Sequence, residues 1–569
     1  MGGLAMKKSF LFIFSILVTL SVASCVENRS STDSRVTEIK DSRGQATSPQ
    51  LSSEIAKPLV AQDQNMAPSG DYSQQSLFAS GLHRRLAKEE TGRVGNVWNT
   101  EAYDPIRENI FHDVLHKPLS TFSIDVDTAS YANVRRFINQ GMLPPKDAVR
   151  IEELINYFSY EYPEPNGIPF SVTYEVATCP WNTKHFLLHV GLKGKSIPTE
   201  SLPPSNLVFL IDVSGSMNSR NKLPLLKKAF SLLTEQLRAQ DRVAIVVYAG
   251  AAGLVLPSTP GGQKAKVLEA LERLQAGGST AGGAGIELAY RVAKANFLES
   301  GNNRVILATD GDFNIGVSSD AAMVRLIEEK RKEGIFLTVL GFGSGNYKDS
   351  KMEKLADKGN GNYAYIDNIL EAKKVLVNEI GATLLTIAKD VKIQIEFNPA
   401  KVKSYRLIGY ENRLLRDEDF NDDRKDAGEI GAGHTVTALY EIVPTDSEEE
   451  TTGVDPLKYQ TRNTVSGKFE NEMLTIKLRY KEPRETESKL MVYTVADKSL
   501  AIEQASANLR FSVAVAEFGM LLRDDSHRGQ ATFDHALHLA RGSRGKDENG
   551  YRAELVRLIE TSKLLKGSS

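Results

Sequence analysis

Leu207-Val208-Phe209-Leu210-Ile211-Asp212-Val213-Ser214-Gly215-Ser216 is the stretch that decides the fold. Its first five residues are all apolar and partly β-branched, which suits a strand buried on both faces, as in a parallel sheet covered by helices. The next five place a carboxylate and two hydroxyls on a tight turn at the strand's carboxyl end. Similar short apolar runs occur at 243–247, 305–307 and 336–340. Helical patterns separate them, the first at 222–237, where Leu223, Leu226, Phe230, Leu233 and Leu237 form one stripe. Others run through 264–274, 286–295, 321–332 and 369–385. Strands alternating with helices across 203–387 predict an α/β domain with a doubly wound, mainly parallel sheet. Such sheets bind ligands in the crevice at the carboxyl ends of their strands.

Two more loops at that edge carry oxygen donors. Gly277-Gly278-Ser279-Thr280-Ala281-Gly282-Gly283 precedes a helix, and its glycines let the backbone approach closely while Thr280 offers a hydroxyl. The run 305–307 leads into Thr309-Asp310-Gly311-Asp312. Hard oxygen ligands suit Mg²⁺ or Ca²⁺ and disfavour Zn²⁺, which prefers nitrogen and sulfur. Compact hydroxyl coordination with retained waters favours Mg²⁺, with Ca²⁺ and Mn²⁺ as alternatives.

With Asp212, Ser214 and Ser216 in a DxSxS pattern, then Thr280, then Asp310, the sequence resembles the von Willebrand factor type A family and its metal ion-dependent adhesion site. The resemblance implies a Rossmann-like fold. It also implies that Ser214, Ser216 and Thr280 touch the metal while Asp212 and Asp310 act mainly through waters, leaving an electrophilic ion that an acidic group of a partner can complete. The run 118–131, from Pro118 to Tyr131, and the stretch 511–523 containing Glu517-Phe518-Gly519-Met520 resemble flanking modules of a bacterial lipoprotein group with this domain. The resemblance covers about residues 100–565. That group is often labelled calcium-activated chloride channel homologues, but beyond the N-terminus no stretch here is apolar enough to line a pore.

The N-terminus reads as an export signal: Lys7 and Lys8, an apolar run over 10–20, then Val22-Ala23-Ser24-Cys25. A spanning helix needs about 20 apolar residues, more than this run holds. Ending on Cys25 resembles the bacterial lipobox, so residues 1–25 are expected to be a signal peptide and Cys25 the lipidated first mature residue. Val26, where an Asp would favour inner-membrane retention, points to the outer membrane facing the periplasm if the host is Gram-negative. Cys179 is the only other cysteine; with Cys25 lipidated no intramolecular disulfide is expected, and Cys179 reads as a buried small hydrophobe. Residues 26–105, rich in Ser, Gln, Asp and Gly, read as a flexible tether.

Across 569 residues, 70 Lys and Arg nearly balance 72 Asp and Glu, so no overall basic field exists to attract nucleic acid. The length calls for several domains. Residues 106–202 read as an N-terminal helical and β module, with helices at 128–139 and 148–157 split by Pro144-Pro145 and strands at 170–176 and 185–192. Residues 388–500 read as β-rich, with strands at 391–397, 402–408, 435–442, 474–480 and 490–495, and a long acidic loop over 444–471 expected to be mobile. Residues 501–569 read as a helical module with helices at 505–523, 532–541 and 551–565. The two β-rich flanks are expected to form one sandwich with the α/β domain inserted between them.

The function expected is metal-dependent protein binding in the bacterial envelope, through an acidic group on a protein partner, with no catalytic residues. Two alternatives are a structural envelope protein with a stabilising metal and a metal-dependent phosphatase-like enzyme. The latter draws on Asp125-Val126-Asp127-Thr128, similar to the paired aspartates of aspartyl-phosphate enzymes. That motif lacks a long apolar strand before it, and a helix start capped by Asp127 or Thr128 explains it as well. No GxxxxGK[ST] or HExxH pattern occurs, and His535 and His538 read as exposed surface histidines.

Overall fold

The computed structural model describes residues 101–124, 127–278, 282–311, 320–345, 348–379, 381, 385–449 and 469–567. The chain divides into two units, Met1–Gly92 and Arg93–Ser569, and all described residues belong to the second. The expected signal peptide, Cys25 and nearly all of the tether lie outside the described residues.

Four strands precede the α/β domain: β1 (His112–Asp113), β2 (Leu119–Ser123), β3 (Phe170–Thr178) and β4 (Phe186–Gly194). The α/β domain supplies β5 (Ser205–Asp212), β6 (Arg242–Tyr248), β7 (Ala252–Pro260), β8 (Asn302–Thr309), β9 (Ile335–Phe342) and β10 (Tyr363–Ile366). Six more follow: β11 (Thr386–Phe397), β12 (Val402–Ile408), β13 (Gly428–Gly431), β14 (Thr435–Pro444), β15 (Glu472–Lys481) and β16 (Lys489–Ala496).

The α/β sheet has the order β10-β9-β8-β5-β6-β7, parallel throughout except that β7 runs antiparallel to β6. Every residue of β5 and β8 is buried, the consequence of helices on both faces. Alternate side chains serve opposite layers. Leu207, Phe209 and Ile211 pack with Leu226, Phe230 and Leu233 of the Leu223–Gln236 helix, with Phe209 stacked on Phe230 at 4.3 Å. Val208 and Leu210 join Ile286, Ala289 and Tyr290 of the Gly282–Ala295 helix. Truncating Leu226 or Phe230 to Ala would cost about 2–5 kcal/mol by loss of transfer energy and creation of a cavity.

Some elements escape the sequence pattern. β7 is an edge strand with only Leu256 and Thr259 buried, so it lacks a continuous apolar run. β10 is four residues long, and the Asp349–Lys358 helix alternates charges around Met352, Leu355 and Ala356. The helix expected over 369–385 is corrected: α-helix spans Ile369–Lys373 and gives way to a π-turn at Lys374–Asn378. β11 already begins at Thr386, and its start was hidden by a bulge at Asp390, where φ is 53° and the register with β15 shifts.

Both flanks build one sandwich. One sheet runs β1-β12-β14-β4-β3, and the other runs β13-β11-β15-β16 with β2 also paired to β11. Phe170, Val190, Tyr405 and Tyr440 of the first meet Phe122, Ile393, Leu474 and Ile476 of the second in a common core. The α/β domain is thus inserted between β4 and β11. On the outer face of the first sheet lie the Ile151–Asn156 and Ala507–Arg523 helices, joined by Phe533–Gly542 and Tyr551–Gly567. A Cβ on Gly519 would come within 3.0 Å of Ile151 and 3.2 Å of Leu154, so glycine there sets the approach of two helices.

Three smaller expectations change. Thr128 makes no capping hydrogen bond; the N–H of Ser130 donates instead to Glu153 Oε2 at 2.8 Å. Of the acidic loop, Glu449 is tied down by His185 Nε2 at 2.8 Å, and residues 450–468 lie outside the described residues. His535 is not a free surface group: it is half-buried, and its Nδ1 lies 2.8 Å from the buried Glu517. Cys179 is buried, as expected. Among the described residues no helix is long and apolar enough to cross a membrane.

Candidate functional site

The parallel strands β5, β6 and β8 end side by side, and their last residues carry the polar groups that a doubly wound sheet gathers at its carboxyl edge. Asp212 closes β5 with its side chain fully buried. Its Oδ1 accepts the Ser214 N–H at 2.8 Å, which folds the turn back on the strand. Its Oδ2 accepts the Tyr248 hydroxyl from the end of β6 and the Thr309 hydroxyl from the end of β8, both at 3.2 Å. One carboxylate therefore links three strand ends.

The hydroxyls of Ser214 and Ser216 lie 3.1 Å apart, Ser214 buried and Ser216 exposed. The neighbouring glycine-rich loop is held against them through its backbone. Gly215 N–H donates to Gly278 O at 3.1 Å, and Gly277 N–H donates to Val213 O at 2.7 Å. Thr280 and Asp312 lie outside the described residues, so the loop is placed only as far as Gly278. Asp310, also fully buried, follows Thr309, whose Oγ1 accepts the Gly311 N–H at 3.2 Å. Asp310 Oδ2 meets Lys222 Nζ at 2.8 Å.

Burial pushes the Asp212 carboxyl up to about 6; the nearby charge of Asp310 adds to this, against hydrogen bonds from Ser214 and Thr309. Two buried carboxylates and two convergent hydroxyls form a hard, all-oxygen donor set, which fits Mg²⁺ in chemistry and charge. Of the five residues singled out from sequence, Asp212, Ser214, Ser216 and Asp310 are brought to one edge. Sequence reasoning missed Tyr248 and Lys222 as parts of the site. The position of Tyr248, one residue past an apolar run and level with Asp212 in the next strand, is the signal that could have found it. Lys222 read only as the start of a helix.

Residues 206–377 match the profile of the von Willebrand factor type A domain. Residues 97–189 match the profile described as von Willebrand factor, and 382–565 the one described as Uncharacterized protein YfbK, C-terminal. The uncharacterized protein YfbK of Escherichia coli (strain K12) is 43% identical over 513 residues, covering 89% of this chain and 88% of that protein. Uncharacterized protein sll0103 of Synechocystis is 28% identical over 185 residues, 32% of this chain and 43% of its own length. A solved structure titled von Willebrand factor type A from Catenulispora acidiphila is 17% identical and covers 68% of this chain and 89% of its own, with a TM-score of 0.38.

Proposed function

The chain belongs to the family of YfbK and contains a von Willebrand factor type A domain, and from that premise we propose that it is a metal-dependent protein-binding lipoprotein of the bacterial envelope. The observation that carries the reading is the pair of hydroxyls, Ser214 and Ser216, 3.1 Å apart beside the buried carboxylates of Asp212 and Asp310. Mg²⁺, when bound, supplies an electrophilic centre that an acidic side chain of a partner can complete. The chain's own residues hold that centre. Ser214, Ser216 and Thr280 offer neutral oxygens, and Asp212, fixed by Tyr248 and Thr309, sets the turn that presents them. Neutral donors in contact leave more of the ion's charge for a partner than carboxylates would. Lipidation at Cys25 and, in a Gram-negative host, an outer-membrane, periplasm-facing position complete the proposal.

Two other readings make different predictions. A structural protein with a stabilising metal would need the ion to hold the loops, whereas backbone hydrogen bonds already join Val213 to Gly277 and Gly215 to Gly278. The phosphatase-like reading would pair Asp125, which lies outside the described residues, with Asp127, but Asp127 is buried, accepts the Tyr363 N–H at 2.8 Å and pairs with Arg413 at 3.3 Å. The test is an envelope pull-down with the detergent-solubilised full chain in Mg²⁺, in EDTA, and as Asp212→Ala in Mg²⁺. A partner held in the first condition and lost in the other two supports metal-bridged binding. The same captured set in all three would leave the metal a structural role at most.

A further inference from the structure

A groove of about 540 Å³ adjoins the loops around Asp212, a volume within the range of ligand sites. It opens between the Leu223–Gln236 helix and the turn that follows the Lys264–Glu272 helix. Asn218 in its wall lies two residues beyond Ser216. Ala276, also in the wall, precedes Gly277, whose N–H donates to Val213 O at 2.7 Å. Both loops that carry the candidate metal site therefore run directly into this groove.

Its walls are tied together. Lys227 Nζ donates to Glu272 O at 2.6 Å, fastening helix to turn, and stands 3.9 Å from the Glu272 carboxylate. Those two charges are thus used within the protein. Leu274, Pro224 and Ala276 make part of the lining apolar. Lys228, the next residue of the helix, is exposed at the groove and has no hydrogen bond or ion pair among the described residues. Arg220, in the turn after Asn218, is exposed and equally without a partner among them. The whole chain carries a formal charge of -2, so this local excess of cations is not a general property of its surface.

One exposed lysine attracts little by itself, because water and salt screen it. Next to an electrophilic ion it becomes the second of two positive centres that one ligand can meet, and complementary charge of this kind selects partners and sets register. A cube of the groove's volume has an edge of about 8 Å, and an extended chain advances about 3.3 Å per residue. Two acids that answer the two centres therefore stand about two to four positions apart in one extended segment.

We propose that this groove selects the partner of the metal edge, taking an extended protein segment with two acidic residues. One carboxylate completes the ion, an apolar residue between the acids lies against Leu274, Pro224 and Ala276, and the second carboxylate meets Lys228. The inference rests on the metal-bridged reading and adds to it the chemistry of the partner segment: paired acids about an apolar residue, not a single acid.

The experiment pans a displayed library of short random peptides on the detergent-solubilised full chain, in Mg²⁺ and in EDTA, for wild type and Lys228→Glu. Lys228 is exposed and unpaired, so the variant keeps its fold, which circular dichroism checks. Wild type in Mg²⁺ is expected to enrich peptides with two acids at that spacing about an apolar residue. A synthetic peptide of the enriched pattern should bind Lys228→Glu at least about threefold more weakly, the effect of reversing one exposed charge contact, and its single-acid analogue should be weakened less. Mg²⁺-dependent enrichment of single acids, or the same paired-acid pattern and affinity with Lys228→Glu, overturns this inference and leaves the metal reading standing. Enrichment of peptides without acids, or no difference between Mg²⁺ and EDTA, overturns both.

Discussion

Lys222 Nζ lies 2.8 Å from Asp310 Oδ2, and both side chains are buried at the carboxyl edge of the α/β sheet. The lysine is aimed there by its surroundings. Its aliphatic chain passes over Gly343, where φ is +81° and a Cβ would come within 2.3 Å of Lys222 Cε. In the metal-free protein this ammonium neutralises a carboxylate that the metal reading assigns to the ion. Lys222→Met should cost about 3–5 kcal/mol without divalent ions, because it takes a 2.8 Å counter-charge from a buried carboxylate. In Mg²⁺ part of that loss should be recovered. Urea unfolding in EDTA and in Mg²⁺ measures both, and equal losses would mean that ion and ammonium do not serve the same carboxylate.

The hydroxyls give a second prediction. If Ser214 and Ser216 hold Mg²⁺, the ion binds the folded protein and not the unfolded one, and stability rises with its concentration. A site filled a hundredfold over its dissociation constant would add about 2.7 kcal/mol. Ser214→Ala should remove most of the Mg²⁺-induced rise in Tm, and Thr280→Ala should reduce it. A Tm that responds to Mg²⁺ equally in wild type and Ser214→Ala would place the ion elsewhere.

How much of this was legible in sequence depended on where the information sits. β5 and β8 are buried on both faces, so their residues had to be apolar in unbroken runs, and Asp212 and Asp310 stood out at the ends of those runs. The sandwich was readable as strand content, but not its pairing. β2 joins β11 through Phe122 opposite Ile393, contacts about 270 residues apart in the chain that no local period encodes. The π-turn at Lys374–Asn378 was hidden because its residues continue a helical pattern. There Lys374 lies 4.2 Å from the centre of the Tyr157 ring, a contact distant in the chain, and pairs locally with Glu379 at 2.7 Å.

Arg135 locks that same segment to the N-terminal flank. From the Ala129–Asn139 helix it pairs with Asp367, with Glu371 at 2.7 Å and with Glu554 at 3.0 Å, while its own side chain is almost wholly buried. Tyr157 donates to Glu371 Oε2 at 2.7 Å, closing the network. Arg135→Met would leave two buried carboxylates facing each other, and a loss of about 3–5 kcal/mol is expected. Hydrogen exchange should show the Ile369–Lys373 helix opening before the α/β sheet does. Uniform loss of protection across the sheet and this helix would argue that Arg135 stabilises the whole rather than this attachment.

The final prediction concerns acid. His189 lies within β4 at 2% exposure, and its Nε2 sits 2.9 Å from the Tyr162 hydroxyl. Burial lowers its pKa from the ordinary 6.5 to about 4, because the charged ring cannot be hydrated there. A base with a depressed folded-state pKa gives stability that is fully present above pH 6.5 and is lost as pH falls through about 4. The unfolded chain takes up the proton first, so acidification across that window favours unfolding, by about 3 kcal/mol for a shift of this size. His189→Gln keeps a polar group beside Tyr162 but does not titrate. Its stability at pH 7 should be lower than wild type, since a fitted ring is lost, while its further loss between pH 7 and pH 4.5 should be smaller. Unfolding curves at the two pH values decide the matter. An unchanged acid-induced loss in His189→Gln would shift the source of acid sensitivity to other buried groups.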